Sequence, residues 1–152
     1  LHASTDVSKK HGDKDTLFFR KQQQAPPPSN WISISFNQVD RLRLIGADPT
    51  LTEEMKNTLS GLNLLQEDRG WKDQALGARE FKIRGHPWAA TGEATMTTRL
   101  LLLKMLECLE ANGWSLYASV DQSTGSKDTS ETDSWYCVKD KTWAPGMAVF
   151  HR

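Results

Sequence analysis

Residues 31–37 (Trp-Ile-Ser-Ile-Ser-Phe-Asn) alternate apolar and polar side chains from Ile32 onward. After a link of three residues, Gln38-Val39-Asp40, residues 41–47 begin alternating again, with Leu42 and Leu44 set against Arg41 and Arg43. A period of two is the signature of a strand with one face buried. A link this short joins antiparallel neighbours. The chain is therefore committed to a hairpin whose Ile32, Ile34, Phe36, Leu42 and Leu44 need a second layer to cover them. With 152 residues it is long enough to supply that layer and to bury a real core without staples.

Two segments have the helical period needed for the cover. Asp48-Pro49-Thr50 opens the first, with Thr50 or Thr52 expected as its cap and Glu53 and Glu54 near its positive end. Its stripe is Leu51, Met55, Leu59 and Leu62, and Gly61 marks its end. The second is the long segment Thr91–Asn112, with Thr91 as the expected cap and Gly113 as the left-handed terminator. Leu102, Met105, Leu106 and Leu109 form its expected buried face. Met96, Leu100 and Leu103 make a further stripe that one sheet does not use, so they are the candidate surface for a protein partner or a second copy of the chain.

The remaining segments read as strands and connectors. Expected strands are Leu1–Val7, Thr16–Lys21, Arg79–Gly85, Trp114–Asp121, Ser134–Val138 and Met147–Arg152. Gln22–Asn30, with three consecutive prolines, is a stiff connector. Gln66–Ala78 is polar and punctuated by glycine, which predicts a loop holding Trp71. Gln122–Ser134 is a hydrophilic loop, and Trp143–Gly146 is a turn. The fold class is α+β: a mostly antiparallel sheet of six to eight strands, packed by one long and one shorter helix, in a single domain spanning 1–152.

An internal repeat is also suggested. Leu1–Ser8 and Leu116–Ser123 are identical at five of eight positions. Each octet leads through a polar loop into an aromatic strand and then to an Ala-Pro pair, Ala25-Pro26 and Ala144-Pro145. A unit used twice predicts pseudo-symmetry, and a chain that reads as a fragment of a longer polypeptide.

Charge and motif content narrow the function. Nineteen basic residues balance nineteen acidic ones, which removes the bulk electrostatic argument for a nucleic-acid or membrane binder. No apolar run reaches the length of a membrane span. Phosphate-cradling, nucleophile-elbow and zinc-protease patterns are absent, and the four histidines lack zinc spacing. No cofactor and no metal site is expected. Cys108 and Cys137 read as two buried free thiols in a cytoplasmic or nuclear protein.

The resulting reading is a non-catalytic protein-interaction module, self-associating through the long helix. Two alternatives stand beside it. One is an RNA- or small-ligand-binding sheet using Arg41, Arg43 and nearby aromatics. The other is an enzyme or anion site at Arg84, His86 and Trp88, where a strand gives way to a helix start.

Overall fold

The computed structural model describes residues 2–6, 16–122 and 132–151. Eight strands and two helices follow one another along these residues: β1 (His2–Asp6), β2 (Thr16–Arg20), β3 (Ser29–Asn37), β4 (Arg41–Ile45), α1 (Pro49–Gly61), β5 (Leu65–Asp73), β6 (Ala78–Ile83), α2 (Ala94–Ala111), β7 (Ser115–Gln122) and β8 (Thr132–Asp140). A single 3₁₀ turn, Pro87–Ala89, precedes α2. Six strands form one sheet in the order β5-β6-β4-β3-β8-β7, every neighbour antiparallel. The fold is α+β, as the alternation and the two helical periods require.

The hairpin that anchors the sequence argument occupies the sheet centre. Phe36 faces Leu42 and Ile34 faces Leu44 across the ladder. Gln38 makes the turn with a positive φ of 54°. All the apolar positions on this face are buried, together with Phe81, Ile83, Trp135 and Cys137 from the flanking strands. The helices form the covering layer: Leu51, Met55 and Leu59 of α1 and Leu101, Met105 and Leu109 of α2 complete one core. Helix α1 lies over β5 and β6, α2 lies towards β7, and the two pack on each other.

Both helix starts differ from expectation. Asp48, not Thr50 or Thr52, caps α1, its carboxylate accepting from the Leu51 N–H at 2.7 Å. Pro49 then takes the first helical position, where it has no N–H to waste. Thr52 instead donates its hydroxyl to the Asp48 carbonyl. Glu53 and Glu54 fall beyond the first turn. Helix α2 begins at Ala94 rather than Thr91, because Gly92 adopts φ 60° and breaks the helical run. Its buried set is Leu101, Met105, Cys108 and Leu109, while Leu102 and Leu106 are only half-buried. The stripe is rotated because α1 packs on the Cys108 flank, where Thr58 meets the thiol. The terminator is as expected: Gly113 has φ 84°, and a side chain there would overlap the Trp143 indole.

Two further expectations are corrected. Residues 65–73 are not a loop but β5, an edge strand. Its ladder to β6 shifts register three times, and Gly70 sits at φ 68°, so no clean alternation was there to read. Residues 147–151 are in no strand. They form a segment held by the Trp143 indole N–H donating to the Met147 carbonyl and by the Ser115 hydroxyl donating to the Phe150 carbonyl. Strands β1 and β2 pair only with each other, in a separate two-stranded sheet, among the described residues. The suggested repeat is not confirmed by this arrangement. Most of the expected Gln122–Ser134 loop lies outside the described residues.

Candidate functional site

The outer stripe of α2 is where the sequence places it. Met96, Leu100 and Leu103 are 66%, 46% and 52% exposed. Leu101, one residue from Leu100, is fully buried. Because successive helical residues turn by about 100°, the exposed three lie opposite the core-facing four. Charges flank them: Arg99 is exposed, and Glu107 accepts from Lys104 at 2.8 Å one turn away.

The sheet face turned away from the helices carries the basic residues. Arg43 lies opposite Glu80 in the β4–β6 ladder, and Arg41 lies opposite Lys82. Glu80 is 1% exposed, yet it is charged and central. Arg43 Nε approaches one carboxylate oxygen at 2.7 Å. Arg69 Nε, Lys72 Nζ and Arg41 Nε approach the other at 2.9, 3.6 and 3.9 Å. Burial pushes the Glu80 carboxyl up, but the Arg43 hydrogen bond and the charges of Arg43, Lys72 and Arg69 outweigh it and hold it below its ordinary value. Arg41 also meets Asp40 at 3.2 Å. The two arginines singled out as RNA contacts thus turn inward to a carboxylate of their own sheet. Sequence reading missed Glu80 entirely. Its only signal was that Arg41 and Arg43 share a face with it, and that depends on knowing that β4 pairs with β6.

A second carboxylate, Asp68 of β5, is held in the same manner near α1. Arg79 reaches it at 2.9 Å and Lys56 at 3.2 Å, while the Gly70 N–H donates to it. Burial raises its pKa, and those partners more than compensate, leaving it lowered. Arg79 also lies 5.2 Å from the centroid of the Trp71 ring.

The residues grouped at the start of α2 separate. Arg84 and His86 line a cavity of about 180 Å³ with Leu64, Thr97 and Leu101. Among the described residues, no carboxylate lines it. Trp88 turns away: its indole N–H donates to the Arg41 carbonyl at 2.8 Å, and its ring meets Phe36 edge-on at 4.7 Å. The other tryptophans divide likewise. Trp114 and Trp135 are core residues, whereas Trp31 and Trp71 are about half exposed.

Cys108 and Cys137 are buried and unbridged. Burial raises both thiols, Cys137 to about 12. Among the described residues, no group of three or more His, Cys, Asp or Glu side chains is placed to hold a metal ion. No helix among them is long and apolar enough to cross a membrane.

Fold and surface together define a helix-covered antiparallel sheet with a charged outer face and an exposed apolar helix stripe. Residues 30–138 match a protein-family model, and the chain belongs to that family, one of uncharacterised domains. The match runs from β3 into β8, so it takes in the six-stranded sheet and both helices and leaves out β1, β2 and the segment after residue 138. No curated protein matches the chain. A solved structure described as a conserved kinetoplastid-specific protein from Trypanosoma cruzi is similar at 12% identity, covering 76% of this chain and 99% of that one, with a TM-score of 0.46.

Proposed function

We propose that the domain is a non-catalytic protein-interaction module that self-associates through α2. The observation that carries the reading is the exposure of Met96, Leu100 and Leu103 on a helix whose opposite side already completes the core. Exposed large apolar side chains that cluster, rather than scatter singly, mark association surfaces. The charges favour a second copy as the occupant. In a two-fold antiparallel pairing of α2 helices about Leu103, Arg99 and the partner's Glu107 are equally far from the axis and face each other. The stripe is short for a permanent interface, so the expected dimer is concentration-dependent. The two free, buried thiols fit a reducing compartment, and the same reading places the protein in the cytoplasm or nucleus.

Light scattering behind a sizing column, at several loading concentrations, tests this. A mass rising towards twice 17.1 kDa is expected, and Leu100→Glu should return it to the monomer value. Arg99→Glu and Glu107→Arg should each weaken association, and the double variant should restore it. A monomer at every concentration would overturn self-association.

A further inference from the structure

Strand β2 pairs with β1 alone, and its other edge meets no strand among the described residues. Strand β8, by contrast, lies between β7 and β3. The two hairpins are close in sequence. Leu1–Ser8 shares Leu, Ala, Ser, Asp and Ser with Leu116–Ser123, 115 residues later. Asp15–Lys21 shares its first and last residues with Asp133–Lys139, 118 residues later, and has Thr16 where the second has Ser134. Ala25-Pro26 returns 119 residues later as Ala144-Pro145. The order is the same, and the interval drifts by only four residues. These intervals slightly exceed the 109 residues of the family match, 30–138, so they are the spacing of whole domains rather than of pieces inside one.

The match also shows what the first hairpin lacks. It sets Phe19 at the place of Cys137. Cys137 is fully buried opposite Ile32 of β3, whereas Phe19 is 60% exposed. Two strands on their own are marginal in water. The ladders differ by one residue: Ala118 pairs with Tyr136 beside a bulge, whereas Ala3 pairs with Phe19, next to the Phe18 that the match gives. A buried face fixes register, and β2 has no third strand among the described residues to provide one.

We infer that β1–β2 is the closing hairpin of a second unit of this domain, set N-terminal to it in the same polypeptide, and that the open edge of β2 takes that unit's β3. The tandem order follows from the connections: α2 and Gly113-Trp114-Ser115 lead directly into the second octet, so their equivalents lead directly into the first. The chain's own β3 is not available for this role, because β4 and β8 occupy both its edges. In the completed unit Phe19 enters the core opposite the equivalent of Ile32, as Cys137 does here. Residues 21–28, with three prolines, become a short stiff spacer between the units.

Hydrogen exchange tests this on three chains, with Leu100→Glu in every copy so that association through α2 plays no part. They are residues 1–152 alone, 1–152 preceded by a copy of residues 29–115, and 1–152 preceded by a copy of residues 29–140. In the second chain the added segment brings β3 to α2 without a closing hairpin, and Leu1 follows Ser115 as Leu116 does in the sequence. The amides of residues 2–6 and 16–20 should exchange readily in the first chain and be at least about a hundredfold better protected in the second. In the third chain the added unit closes with its own β7 and β8, and these amides should again exchange readily. Phe19→Asp should remove the protection in the second chain while leaving the unit at 29–140 of the full chain unchanged. Unprotected amides in the second chain, protection already present in the first, equal protection in the third, or protection that survives Phe19→Asp would each overturn the assignment.

Discussion

The Glu80 cluster and the outer stripe of α2 are opposite exceptions to the same rule. At Glu80 a charged group is buried; on α2 three large apolar groups are exposed. The first exception is resolved inside the chain. Arg41, Arg43, Arg69 and Lys72 bring their charges to the carboxylate, so desolvation is matched by pairing. The second is left open by the chain, because no residue described packs over Met96 or Leu100 while Leu101 beside them is sealed. A buried charge with its partners present explains itself structurally. An exposed apolar stripe without them points outward.

The largest test of this contrast is Glu80→Gln. Removing one partner from a buried ionic cluster strands the others, so a loss of about 4 kcal/mol is expected in urea unfolding. A change below about 1 kcal/mol would mean the cations reach water without it. The adjacent leucines give the next test. Leu101→Ala should cost about 3 kcal/mol for its cavity, and Leu100→Ala should be within about 0.5 kcal/mol of neutral at concentrations where the chain is monomeric. Similar losses for both would mean that the stripe is packed.

Acid sharpens the comparison further. The Glu80 and Asp68 pKa values are lowered in the folded chain, so the unfolded chain takes up protons first as the pH falls. Their stabilisation is complete above the ordinary carboxylate values of 4.5 and 3.8 and is lost below them, as the pH drops towards the folded values. The unfolding midpoint should therefore fall below about pH 4.5, and Glu80→Gln should flatten that fall. The smallest effect is kinetic rather than energetic. With Cys137 raised to about 12 and Cys108 raised as well, neither thiol should react with a maleimide or disulfide reagent at pH 8 until the chain is unfolded.

Much of the architecture was legible because it rests on local periods. The β3–β4 hairpin showed itself because Ile32, Ile34 and Phe36 share one face and a one-residue slip would expose all of them. The outer stripe of α2 was legible for a similar reason: two apolar stripes on one helix exceed what one sheet buries. What stayed hidden is what depends on neighbours distant in sequence. Strand β5 carries little alternation because it is a bulged edge whose pairing is settled by β6. Leu101 and Cys108 are buried in place of Leu102 and Leu106 because α1 lies on one flank of α2. Glu80 gave no hint of burial, since its surroundings are assembled from β4, β5 and β6. Of the Arg84–His86–Trp88 grouping, adjacency along the chain brought the first two to one cavity and said nothing of where the Trp88 ring would turn.

The sheet order carries one more consequence, for how the chain is made. Strand β3 lies between β4, its immediate successor, and β8, which comes about a hundred residues later, with Ile34 set opposite Trp135. During synthesis the β3–β4 hairpin is available early, but the outer side of β3 waits for its partner until residues 132–140 have left the ribosome. Until then a nine-residue strand presents an unpaired edge beside Ile32 and Ile34. A chain cut short before β8 is therefore expected to be captured by chaperones or to aggregate, because this late strand completes the pairing of β3 near the middle of the sheet.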